Sequence, residues 1–172
     1  HKGPEPAKRA LDYWDMVFLS AEELCAKAST SPQEKESIVE ELCTMMVGRE
    51  KRILSLAKLR LSLEDLLAIR KRMIGTGFIG GKAVGMLLAN KVISSDKSLG
   101  LSDSLEPHDS FYVGSDVFYT YLVENGWWNL RMEQKSEEGY FKVASELREK
   151  LLTGKFPHQI REQFREMIEY FG

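Results

Sequence analysis

Cysteine is scarce in this chain, with only Cys25 and Cys43 among 172 residues. Both fall on apolar helical faces, so the reading is two free, buried thiols rather than a disulfide or a metal site. Long apolar runs are also missing. None approaches the roughly 18 to 20 residues needed to span a bilayer, and the basic, proline-containing start lacks a signal-peptide hydrophobic region. A cytoplasmic protein without a membrane partner is expected. Charge of one sign is not in excess either: the formal net charge is -2 with 29% charged residues. That balance excludes a disordered or strongly polyionic chain and points to no nucleic-acid partner. No internal repeat or low-complexity tract occurs. His1 stands where a nascent chain would have Met, which suggests a processed chain or a piece of a longer one.

Apolar residues are plentiful. They make up 43% of a length that suits one domain or one and a half, enough for a core of its own. From Pro6 to about Ala28, Leu11, Trp14, Phe18, Ala21, Cys25 and Ala28 recur at steps of three and four, which predicts one amphipathic helix. Ser31 and Pro32 form an N-cap and first-turn pair for a second helix through Ile38, Leu42 and Met45 to Gly48, and the two helices are expected to form a hairpin. Ser62 with Asp65 three residues on resembles a capping box and starts a helix reaching about Ile74.

Residues 49–72 carry eight basic side chains against three acidic ones, a local balance of +5. Leucines thread these charges, as on the solvated side of an amphipathic element, and that reading outweighs an anion-binding patch. Residues 83–93 are apolar almost all round, including Val84, Met86, Leu87, Leu88 and Val92, so burial is expected. A polar loop over 94–110 leads to a short strand at Phe111-Tyr112-Val113, and Ser115 or Asp116 is expected to cap a helix ending near Asn125-Gly126. Phe141, Ala144, Leu147 and Leu151 give a further stripe closed by Gly154, and Pro157 opens another with Ile160, Phe164, Met167 and Phe171. The aromatic group Phe111, Tyr112, Phe118, Tyr121, Trp127 and Trp128 reads as core, with the tryptophan pair as a partly exposed contact surface.

The segment from Gly75 to Lys82 holds Gly75, Gly77, Gly80 and Gly81 ahead of a helix. Such a turn lets backbone N–H groups approach phosphate oxygens, and the helix N-terminus adds partial positive charge. A Walker A reading fails, because Thr76 and Ala83 stand where that motif needs glycine and a hydroxyl residue. A dinucleotide fingerprint is met literally by Gly75, Gly77 and Gly80, but it needs a hydrophobic strand just before it. Arg70-Lys71-Arg72-Met73-Ile74 reads instead as the basic end of a helix. Gly75 and Gly77 are therefore taken as turn glycines.

Gly80-Gly81-Lys82-Ala83-Val84-Gly85-Met86-Leu87-Leu88 resembles the motif that opens the nucleotide-binding domain of phosphoenolpyruvate synthases and pyruvate phosphate dikinases. Two further stretches follow in the family's order. Pro107 to Phe118 is similar to its strand-entering-helix segment, with Asp109-Ser110 replacing a Pro-Gly pair, and Leu151 to Pro157 is similar to its Ile-x-x-Gly-x-Phe-Pro stretch. The resemblance implies an α+β, predominantly helical chain: a helical extension over 1–74, then the first portion of an ATP-grasp-like domain over 75–172. It implies ATP and Mg2+ as cofactors of the complete enzyme, which passes a phosphoryl group from ATP through a phosphohistidine to pyruvate or a related acceptor. Lys82 is then the phosphate contact, with Gly80 and Gly81 allowing close backbone approach. The phosphate-binding arginine strand, the metal-binding acids, and the phosphohistidine and acceptor-binding domains would lie outside this chain, which alone is expected to be inactive. His108 is read as a surface histidine. The competing reading is a non-catalytic helical interaction module using the basic segment 49–72.

Overall fold

The computed structural model describes residues 12–27, 29, 31–101, 104–105 and 109–172. Among them the chain is mostly helix, with ten α-helices and two short strands. The first four helices are α1 (Tyr13–Ala26), α2 (Pro32–Met46), α3 (Lys51–Arg60) and α4 (Leu63–Lys71). Each begins on a side chain that accepts a hydrogen bond from its first turn: Asp12, Ser31, Glu50 and Ser62 respectively. Ser31 with Glu34 and Ser62 with Asp65 form full capping boxes, which satisfy helix N–H groups that otherwise lack partners. The expected start of the first helix at Pro6 falls outside the described residues.

Helix α4 packs on both α1 and α2, and α3 packs on α2. Leu42, Cys43, Met46 and Leu66 are fully enclosed between them. Burying a leucine side chain of this kind stabilises by about 1.5–3 kcal/mol. The two cysteines part company here. Cys43 is buried and desolvation pushes its thiol up to about 11, whereas Cys25 is exposed, its Sγ 3.7 Å from Glu64. The helical stripe expected to bury Cys25 ends at Ala21, because Cys25 lies in the last turn of α1.

The expected helix to Ile74 stops at Lys71, and Met73–Ile74 form a strand, β1. It pairs in parallel with β2 (Tyr112–Val113), Met73 opposite Tyr112 and Ile74 opposite Val113. Helix α5 (Gly81–Ser95) lies between the strands in sequence and packs on α3. The all-round apolar reading of α5 predicts burial, yet only Val84 and Leu88 are buried. One side faces the core, while Gly85 and Ala89 are exposed. A turn at Lys97–Leu99 breaks the expected loop, and Pro107 and His108 lie outside the described residues. One hydrophobic core runs without a break from Val17 in α1 through Ile79 and Val84 to Tyr112.

After β2 come α6 (Ser115–Glu124), α7 (Trp128–Gln134), α8 (Gly139–Lys142), α9 (Ala144–Thr153) and α10 (His158–Phe171). Tyr121, Leu122, Val143 and Leu147 are buried but sit outside the main core. Several expected core residues are not buried. Phe141 is 86% exposed, Phe118 is exposed, and α10 has no buried residue at all, while Trp128 is exposed as expected of the tryptophan pair. Their periodicity marks real helical faces, but no other described element covers them fully. Helix α10 is held through its end: the Arg72 guanidinium donates to Tyr170 Oη at 2.7 Å, stacks on that ring, and pairs with Asp109 at 3.3 Å.

Candidate phosphate-binding turn

The turn starts where β1 ends. Gly75 donates its N–H to Gln163 Oε1 of α10 at 2.7 Å. Thr76 N–H donates to Asp116 Oδ1 at 2.7 Å, and its hydroxyl donates to the other carboxylate oxygen. Phe78 N–H donates to Ser115 Oγ at 3.0 Å, while Ser115 N–H returns a bond to the Phe78 carbonyl at 2.9 Å. Ile79 N–H reaches the Met46 carbonyl at the end of α2 at 3.0 Å. Residues 75–79 are thereby stitched to α2, α6 and α10. Each neutral bond among these contributes about 0.5–1.5 kcal/mol net, and the bonds to the Asp116 carboxylate about 1.5–3 kcal/mol.

This stitching dictates the glycines. Gly75 has φ +70°, and a Cβ there would come within 2.3 Å of Val117. Gly114 has no unusual φ, but a Cβ on it would sit 2.0 Å from the Thr76 carbonyl oxygen. Ser115 therefore occupies the first turn of α6 with Gly114 as the N-cap residue, and its hydroxyl serves Phe78 instead of capping the helix as expected. A strand does stand before Gly75, so the sequence objection to the dinucleotide fingerprint falls away. The hydrogen bonds replace it with a stronger one: Gly75 N–H is already used within the molecule, and Gly77 is pressed against Ser115, where a Cβ would meet Oγ at 2.5 Å.

What remains open is the start of α5. Gly80 is the N-cap residue at φ +86° and makes no side-chain cap. The first helical bond runs from Val84 N–H to the Gly80 carbonyl, which leaves the N–H groups of Gly81, Lys82 and Ala83 without acceptors among the described residues. No acid stands in the first turn. Lys82 is exposed and makes no ion pair among the described residues. A Cβ on Gly81 would meet nothing within 4 Å, so packing does not demand glycine there. Gly80, Gly81 and Lys82 thus lie together on one exposed turn that offers three free donors and one cation.

Sequence reasoning did not single out a nearby cleft or the ion pair on its rim. A cleft of about 510 Å3 opens between α4, α5 and the entry to β2, floored by Leu61, Ile69 and Met86. Lys91 crosses its rim to Asp65 at 2.7 Å. Burial would raise the Asp65 carboxyl, but the Lys91 hydrogen bond and the Ser62 cap outweigh it and hold the group below the usual carboxylate range. Such a pair carries no motif, because its members are 26 residues apart. Three of the eight basic residues of segment 49–72 are engaged internally: Lys58 with Glu40, Arg70 with Asp15 and Arg72 with Asp109. No group of three or more His, Cys, Asp or Glu among the described residues could hold a metal ion, and no helix among them is long and apolar enough to cross a membrane. Comparison with protein-family models, curated proteins and solved structures gives no match for this chain.

Proposed function

We propose that this chain carries the phosphate-binding turn of an ATP-grasp-like domain of the phosphoenolpyruvate synthase and pyruvate phosphate dikinase type. The parent enzyme transfers a phosphoryl group from ATP, through a phosphohistidine, to pyruvate or a related acceptor. One observation carries the reading. Helix α5 begins unlike the four described helices before it, with glycine in place of a side-chain cap, three N–H groups that no described residue accepts, and an exposed lysine. A cation at a helix N-terminus is unfavourable by a few tenths of a kcal/mol to about 1 kcal/mol unless an anion is present. Phosphate oxygens meet both demands, accepting from the backbone and neutralising Lys82.

In this reading Gly81 keeps the first turn open to the nucleotide, and Lys82 supplies charge to the phosphates. Catalysis of this kind rests on positioning and charge neutralisation. Magnesium would supply further charge neutralisation at the phosphates in the complete enzyme, and no described residue is assigned to hold it. The phosphohistidine and acceptor-binding domains belong to the parent protein beyond these residues. The interaction-module alternative loses part of the charge it needs, because Lys58, Arg70 and Arg72 are paired within the molecule.

Calorimetric titration of Mg-ATP into the full-length gene product tests the proposal. Binding is expected, weakened at least tenfold by Lys82→Ala, a change of about 1.4 kcal/mol. Unchanged affinity in the variant, or no binding by the wild type, overturns it.

A further inference from the structure

The cleft of about 510 Å3 between α4, α5 and the entry to β2 has the size of a small-molecule site. None of its lining residues belongs to the glycine turn. Tyr112 marks it as more than a surface hollow. This residue lines the cleft and is only 8% exposed, yet its hydroxyl has no hydrogen-bond partner among the described residues. Buried hydroxyls in folded proteins are nearly always bonded. The oxygen is still open to the cleft, because the one sealed and unpartnered side-chain polar atom among the described residues is Trp14 Nε1. Burial and the Asp109 charge push the Tyr112 phenol above its ordinary value of 10.0, with Arg72 opposing, so the group is a protonated donor at neutral pH.

The charges on the rim cancel. Lys91 Nζ lies 2.7 Å from Asp65, and the Arg72 guanidinium lies 3.3 Å from Asp109. A charged ligand would have to displace a partner already in place or enter without a counter-ion, which is costly away from bulk water. The polar groups left for a ligand are uncharged. They are the hydroxyls of Tyr112 and Ser110 and the carboxamide of Asn90, all lining the cleft with no side-chain bond among the described residues. Together they offer donors and acceptors, beside the apolar floor of Leu61, Ile69 and Met86.

We propose that this cleft is a second ligand site, apart from the phosphate turn, that takes an uncharged small molecule with an apolar body and a hydroxyl or carboxamide head. The body covers the floor, and the head exchanges hydrogen bonds with Tyr112 and its uncharged neighbours.

The proposal is independent of the nucleotide reading, and its test separates the two. Naphthalene-2-carboxamide is titrated into the full-length gene product by calorimetry, beside 2-naphthoate and 2-naphthylmethylammonium, which keep the ring system and add one charge of either sign. Saturable binding is expected for the carboxamide, at least about tenfold tighter than for either ion. Tyr112→Phe keeps the buried ring and removes only the hydroxyl, and should weaken binding at least about fivefold. Ala68→Trp fills the cleft from an exposed position of α4 and should abolish binding in a protein that circular dichroism shows to be folded. Lys82→Ala and saturating Mg-ATP should leave carboxamide affinity unchanged. No saturable binding at millimolar carboxamide, equal affinity for the two ions, or unchanged affinity in Tyr112→Phe overturns the proposal. Displacement by Mg-ATP overturns it as a separate site and assigns the cleft to the nucleotide.

Discussion

The molecule on either side of the glycine turn is built to different standards. Before it, all four helices carry a side-chain N-cap, and their apolar stripes meet in a core that encloses Leu42, Cys43, Met46 and Leu66 completely. After β2, none of the five helices has a side-chain cap, α7 and α10 bury nothing, and Phe141, Leu152 and Ile168 stand well exposed. Hydrophobic periodicity is as regular in the second region as in the first. The difference teaches that a helical stripe reports a face that can be covered, whereas the surrounding chain decides whether it is. The glycine turn lies at the seam, tied to α2 on one side and to α6 and α10 on the other.

Substitutions that remove the same kind of side chain on the two sides should expose this contrast most strongly. Leu66→Ala, in the enclosed core, should cost about 2–5 kcal/mol in urea unfolding. Phe141→Ala should change stability by no more than about 0.5 kcal/mol. Equal losses would mean that the second region is packed as well as the first. At the seam, Gly114→Ala forces a Cβ against the Thr76 carbonyl and should cost about 1–3 kcal/mol. Gly81→Ala has open space and should stabilise the chain by about 0.5–1 kcal/mol while weakening Mg-ATP binding. Loss of stability in Gly81→Ala would make that glycine structural and remove its assignment to the ligand.

A further small effect concerns pH. The folded-state carboxyl of Asp65 lies below its ordinary value of 3.8, so the stability it adds is fully present above that value. It disappears as pH falls through the depressed folded value. Because Lys91 and Asp65 are both partly exposed, the contribution should stay below about 1 kcal/mol. Asp65→Asn should flatten the acid limb of a stability-against-pH curve, and a parallel limb in the variant would assign that limb to other groups.

The first region is legible in the sequence because its signals are local. Ser31-Pro32 and Ser62 with Asp65 are short-range cap chemistry, and both helices start where these residues place them. Met73–Ile74 is not legible as a strand, since two residues after a basic helix end carry no period and their extended form depends on pairing with Tyr112, 39 positions away from Met73. The exposure of Cys25, Phe118 and Phe141 is likewise set by which neighbours arrive, not by spacing. Of the candidate site, Gly80, Gly81 and Lys82 are legible as one contiguous motif. The anchoring of the turn by Asp116, Ser115 and Gln163 is not, because these residues meet it from 37 to 88 positions away.

Residue-resolved amide hydrogen exchange of the full-length gene product, with and without Mg-ATP, tests the assignment of the seam most directly. Protection of Gly81, Lys82 and Ala83 should rise on nucleotide addition, while the amides of Thr76 and Phe78, already bonded to α6, change little. Protection that appears elsewhere and leaves the start of α5 unaltered would contradict the account.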